Sequence, residues 1–124
     1  MRKIALLGMT AAVLVSLGLY ATAAKEKTLT GEIVDTTCYL AKGAKGAEHK
    51  ACAETCIKGG APVGLLATDG KLYLLIAGGE ADVGKKAMEA AKGLAAETVT
   101  AKGTIVKRSG MNAFAVTDVA KKAK

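Results

Sequence analysis

The spacing of apolar and polar positions divides this chain into five predicted strands and two predicted helices. Strands are indicated where apolar and β-branched residues alternate with polar ones, and helices where apolar residues recur every three to four positions. The predicted strands cover residues 29–35, 63–68, 71–77, 98–107 and 112–119. The predicted helices cover residues 47–58 and 83–94. The resulting order is β–α–β–β–α–β–β.

Glycine and polar residues mark the ends of these elements. Asp69-Gly70 lies between two apolar runs and predicts a hairpin turn, and residues 108–111 predict a second turn between the last two strands. Gly59-Gly60 is expected to end the first helix, and Asp82 is expected to cap the start of the second. The strands therefore come as two hairpins and one leading strand.

Five strands with a helix between the third and the fourth are the arrangement of the OB-fold, a five-stranded Greek-key barrel. The predicted fold class is mainly β with added α: an OB-like barrel with one helix inserted after strand 1 and one between strands 3 and 4. Segments 29–34 and 99–106 share an apolar-x-Gly-x-apolar pattern, in which Gly31 and Gly103 allow a strand to bend around a small barrel.

Beyond this shared pattern, the chain contains a local pattern in the order Cys38-Tyr39-Leu40, His49, Cys52-Ala53, Cys56 and Gly60-x-Pro62-x-Gly64. On these features the chain resembles small exported bacterial OB-fold-like domains with an inserted helix that bears cysteine and histidine. The resemblance implies the barrel architecture. It implies no activity, because the role of that family is unassigned and OB-folds host many unrelated functions.

The first 23 residues are predicted to be an export signal. Arg2 and Lys3 precede a long apolar stretch, and Ala21-Thr22-Ala23 matches a small-residue cleavage site. Cleavage after Ala23 leaves a single domain, 24–124, in the periplasm or outside the cell, without a stable membrane anchor. An uncleaved anchor is the alternative, since the apolar stretch approaches the length that spans a bilayer.

Charge and composition narrow the choice of partners. Without Arg2 and Lys3 the formal charge falls from +7 to +5, and the lysines are spread along the chain in no compact block. Tyr39, Tyr73 and Phe114 are the aromatic residues after the signal, which is too few for a platform that stacks single-stranded nucleic acid. We therefore expect no nucleic-acid partner, while an unknown protein partner stays open.

All three cysteines and the single histidine lie within one short segment. Cys38 is predicted to close the first strand, and residues 41–46 to form a flexible loop of small residues before the helix. His49, Cys52 and Cys56 are three, four and seven positions apart, so a continuous helix would place them on one face. Together with Cys38 they form a Cys₃His set, which suits zinc, copper or another thiophilic ion.

Two other interpretations of the cysteines remain. In an oxidising compartment Cys38 could pair with Cys52 or Cys56 as a structural disulfide, which would leave an odd thiol able to link a dimer. A thiol next to His49 could also take part in thiol–disulfide exchange. No hydrolytic triad or paired acid–base carboxylates are recognised, so the prediction favours a non-catalytic binding module over an enzyme.

Overall fold

A computed structural model describes residues 24–124 and shows a closed barrel of five strands. The strands are β1 (Lys27–Asp35), β2 (Val63–Ala67), β3 (Leu72–Ala77), β4 (Thr98–Arg108) and β5 (Met111–Lys121). Their order around the barrel is β1-β2-β3-β5-β4, with β3 and β5 parallel and the other pairs antiparallel. The predicted OB-like, mainly β fold is confirmed. The predicted export signal, 1–23, lies outside the described residues.

Helical segments occupy two of the connections between strands. The helices are α1 (Thr36–Lys42), α2 (Lys50–Lys58) and α3 (Ala81–Lys92), and a short 3₁₀ turn, Ala47–His49, leads into α2. Helix α3 connects β3 to β4 as predicted. No helix within residues 24–124 has both the length and the apolar character needed to cross a bilayer.

Strand β1 joins the two halves of the barrel by pairing with a different neighbour at each end. Its first part pairs with β4 and its second part with β2, and Gly31 lies opposite both Val99 and Ala67. A side chain at Gly31 would collide with the carbonyl oxygen of Leu66. Glycine is therefore required where three strands crowd together, as the sequence pattern indicated.

The second glycine of the shared pattern has a similar role in β4. The pairing of β4 with β5 shifts register between Lys102 and Gly103, and a side chain at Gly103 would collide with the carbonyl oxygen of Ala115. A register shift of this kind bends a strand and increases its twist. The bend allows the long β4 to pair with both β1 and β5 and close the barrel.

Both predicted hairpin turns are present. Gly70 has φ +84°, and the Asp69 side chain accepts a hydrogen bond from the Lys71 backbone between β2 and β3. Ser109 and Gly110 both have positive φ and form the two-residue loop between β4 and β5. Two such residues are what a tight hairpin loop requires.

The core of the barrel is aliphatic, with one pair of aromatic rings tilted against each other. Phe114 is fully buried, and its ring lies 6.2 Å from that of Tyr73. Helix α3 closes the core with Gly84, Ala87 and Ala91, which are buried, while Val83 is exposed. This face is selected by close packing, because Gly84 lies directly against the backbone of Gly78.

The segment after β1 differs from the prediction. Residues 38–40 do not extend the strand, and residues 41–42 do not begin a loop, because Thr36–Lys42 form helix α1. The predicted continuous helix 47–58 is also corrected, since Ala47–His49 form a 3₁₀ turn and the α-helix begins at Lys50. The single predicted insertion after strand 1 is therefore two short helices joined by a loop.

Candidate metal centre

Cys38 is positioned by the capped start of α1. The Asp35 side chain accepts hydrogen bonds from the backbone N–H groups of Thr37 (2.9 Å) and Cys38 (3.3 Å), and Gly43 ends the helix with φ +68°. These are the usual N-cap and C-cap residue types. The cap turns the chain sharply at the end of β1, which places the half-buried Cys38 one turn into the helix.

Cys52 and Cys56 are positioned by the packing of α2 on the barrel. Ala53 and Ile57 are buried in the core, four positions apart on one face of the helix. Each cysteine precedes one of these anchors by one position, so both thiols lie at the edge of the buried face. Cys52 is exposed and Cys56 is half-buried.

The two helices bring the three thiols together. The sulfur atoms of Cys38, Cys52 and Cys56 all lie within 4.8 Å of one another, and all three cysteines are free. A tetrahedral zinc ion with zinc–sulfur distances of about 2.3 Å places its sulfur ligands about 3.8 Å apart. The sulfurs therefore need to approach one another by about 1 Å or less to hold such an ion.

His49 lies just before α2 and not within the continuous helix that the sequence predicted. It is the last residue of the 3₁₀ turn and the N-cap of α2, with φ −96° and ψ 1°. It does not belong to the group of ligand atoms that lie within 4.8 Å of one another. Its Nε2 atom is buried and has no hydrogen-bond partner among residues 24–124. Its role as a fourth ligand stays a prediction.

A carboxylate lies beside the thiols. Asp35 is only 1% exposed, and its side chain interacts with the thiols of Cys38 and Cys56. Its Oδ1 atom accepts the two backbone hydrogen bonds of the α1 cap, whereas Oδ2 is buried and has no hydrogen-bond partner of regular geometry in the described chain. The thiols of Cys38 and Cys56 are weak hydrogen-bond donors, so they compensate the desolvation of this carboxylate only in part.

The carboxylate and the thiols shift one another's pKa values. Burial alone would raise the pKa of Asp35, but hydrogen bonds from the side chain and backbone of Cys38, from the Cys56 thiol and from the Thr37 backbone outweigh it and lower that pKa. The hydrogen bond to Asp35, together with desolvation, raises the pKa of Cys38 to about 11. The same two causes raise the pKa of Cys56.

In the metal-free cluster, the negatively charged carboxylate therefore favours the neutral thiol form of Cys38 and Cys56. A nucleophilic cysteine needs a lowered pKa, usually from a cationic neighbour. Here the charged neighbour of Cys38 is an anion, which has the opposite effect. A metal cation removes this obstacle, because it binds the thiolate form directly and displaces the proton.

Asp35 is the residue at this site that sequence patterns did not identify. Thr36 and Thr37 are β-branched and follow an apolar strand, so they favour a continuing strand over a helix. A helix signal was nevertheless present, because aspartate is a common helix N-cap and Gly43 is a common helix end. A helix capped by Asp35 places Cys38 three residues after the cap.

Two surface grooves, of about 530 and 540 Å³, lie away from the thiols. The first runs along the C-terminal ends of α2 and α3, and the second is lined by residues such as Glu32, Tyr39 and Thr68. Neither groove is lined by a cysteine.

No protein-family model, curated protein or solved structure gives a significant match to the chain. The proposed function consequently depends on the residues of the site.

Proposed function

We propose that this protein is an exported, non-catalytic module that holds a thiophilic metal ion through Cys38, Cys52 and Cys56. The observation that carries the proposal is the convergence of three free thiols, from two separate helices, to within 4.8 Å of one another. Thiolates are preferred ligands of zinc and of Cu(I). An ion bound there would connect α1 to α2 and fasten both helices to the end of β1.

The protonation of the thiols supports binding over thiol–disulfide catalysis. The carboxylate of Asp35 raises the pKa of Cys38 to about 11, so this cysteine is almost entirely a neutral thiol at neutral pH without a cation. His49, which was a candidate partner for a reactive thiol, is not part of the thiol group. The cluster therefore has the composition of a metal site, and the raised pKa values of Cys38 and Cys56 are the opposite of what an activated nucleophile needs.

Metal titration of the reduced protein tests the proposal. Zinc is added to the metal-free protein in competition with a chromophoric chelator, and Cu(I) is titrated in the same way with a Cu(I)-specific chelator. We expect one equivalent of metal per chain and three titratable thiols after the metal is removed. Cys38→Ser, Cys52→Ser and Cys56→Ser should each weaken binding strongly. Ala51→Ser, an exposed substitution on the same helix, is the matched control and should bind like the wild type.

The disulfide alternative gives a different result in the same experiment. Protein isolated without reductant would then contain no metal, one titratable thiol per chain and a mass lower by two hydrogens than the reduced form. A dimer linked through the odd cysteine would separate into single chains only on reduction. Either result would reject metal binding as the native state of the cluster.

Export is part of the proposal and needs its own measurement. It is supported by the basic start, the apolar stretch and Ala21-Thr22-Ala23. The intact mass of the protein isolated from cells should correspond to a chain that begins at Ala24. A mass that includes residues 1–23 would contradict cleavage.

A further inference from the structure

We infer that Asp35 is the oxygen ligand that completes this site and restricts it to divalent ions of the zinc class, in preference to Cu(I). The inference rests on the proposed function, since it assumes that the three thiols bind a metal. It extends that function by naming the fourth donor and the charge of the ion.

The first argument is the unused oxygen of Asp35. The side chain is almost completely buried beside Cys38 and Cys56, and Oδ1 accepts the two backbone hydrogen bonds of the α1 cap. Apart from this cap, the carboxylate interacts within residues 24–124 only with the two thiols. Oδ2 is buried without a partner of regular geometry in the described residues. Thiols are weak hydrogen-bond donors, so they compensate the desolvation of this oxygen only in part, and a cation bound by the same thiols would compensate it fully.

The second argument is charge. When the three thiols bind metal as thiolates, they and Asp35 together carry four negative charges in a half-buried site. A divalent ion leaves two of these charges uncompensated, whereas Cu(I) leaves three. Because charge repulsion is costly away from water, the carboxylate favours the divalent ion. Carboxylate oxygen is also an ordinary zinc ligand, whereas Cu(I) prefers sulfur.

The third argument is position relative to His49. Asp35 interacts with two of the three thiols, and the N-cap hydrogen bonds fix its carboxylate at the start of the helix that carries Cys38. Neither Asp35 nor His49 belongs to the group of ligand atoms that all lie within 4.8 Å of one another, so the contact of Asp35 with two thiols is what distinguishes it. Three side chains in the described residues have a buried atom without a hydrogen-bond partner: Asp35, Thr36 and His49. Of these, Asp35 is the one that interacts with the thiols of Cys38 and Cys56.

The test compares Asp35→Asn with His49→Ala, using the full reduced protein with Zn²⁺ and Cu(I) as probes. Asparagine keeps an oxygen that can cap α1 but lacks the charge, and the unfolding of each metal-free variant is measured as a folding control. We expect Asp35→Asn to lower Zn²⁺ affinity by about 10–100-fold, the range typical of residues that tune a metal site. Cu(I) affinity should stay within about threefold of the wild type or rise, and His49→Ala should change neither.

X-ray absorption at the zinc edge of the wild-type protein provides a measurement that needs no variant. We expect three sulfur neighbours and one light atom, without the outer-shell scattering of an imidazole ring. Imidazole scattering, or loss of zinc in His49→Ala but not in Asp35→Asn, would overturn the inference and identify His49 as the ligand. Equal losses of Zn²⁺ and Cu(I) affinity in Asp35→Asn would also overturn it. If the wild type binds neither metal, the proposed function itself fails, which is a distinguishable result.

Discussion

The substitution Cys38→Ser should abolish most of the stabilisation that metal binding gives to this fold. Cys38 is the single thiol on α1, whereas Cys52 and Cys56 both lie on α2. Removing it therefore leaves a bound ion attached to one helix, unable to connect the two. Because Cys38 is half-buried and outside the core, the metal-free variant should unfold close to the metal-free wild type.

The magnitude follows from linkage between binding and folding. At a free zinc concentration 100-fold above the wild-type Kd, binding stabilises the folded state by about 2.7 kcal/mol. For a domain of this size each kcal/mol raises the Tm by about 4–8 °C, so zinc should raise the wild-type Tm by about 10–20 °C. If the variant binds about 100-fold more weakly, the same zinc concentration stabilises it by about 0.4 kcal/mol, which is about 3 °C or less.

Thermal unfolding followed by circular dichroism, with reductant and with defined free zinc, measures both shifts. Ala51→Ser is run in parallel and should show the full wild-type shift. The reasoning is refuted if zinc leaves the wild-type Tm unchanged. It is equally refuted if Cys38→Ser and the wild type shift by the same amount, since the ion would then not require α1.

Three further predictions concern the fold itself. Phe114→Ala should lower the free energy of unfolding by about 3–5 kcal/mol, because the ring is fully buried, whereas the exposed Met111→Ala should change it by less than about 0.5 kcal/mol in denaturant titrations. Gly103→Ala should destabilise the barrel, since the new methyl group collides with the backbone of the neighbouring strand; a denaturation midpoint equal to that of the wild type would contradict this packing. Hydrogen bonds from Lys50 and Lys121 lower the pKa of Glu97 in the folded protein. The pairing of Glu97 with these lysines therefore stabilises the fold above the pKa that Glu97 has in the unfolded chain, about 4.3. The stability difference between wild type and Glu97→Gln should thus be constant above about pH 5 and disappear as the pH falls through the lowered folded pKa, which denaturant titrations across pH can check.

The candidate site was partly predictable from sequence. The crowding of Cys38, Cys52 and Cys56 in one segment identified the thiols, and the structure brings these three together. The helical spacing that added His49 assumed one continuous helix. The chain instead changes from a 3₁₀ turn to an α-helix at that residue, so the assumed angular relation to Cys52 does not hold. A local spacing rule cannot detect such a change, because both conformations use similar backbone angles.

The sequence by itself determined the strands, the turns and the bends of this barrel. Alternating apolar residues, Asp69-Gly70 and the glycines at 31 and 103 act through local sterics and burial, which a single chain segment already contains. Only the tertiary structure decided that Asp35, which caps the helix of Cys38, also lies beside Cys56. The backbone N–H of Thr36 bonds to the carbonyl of Pro62, so closing the barrel sets the end of β1 beside the residues that follow α2. That contact joins segments 26 positions apart, and no periodicity along the chain specifies which side chains such a contact brings together.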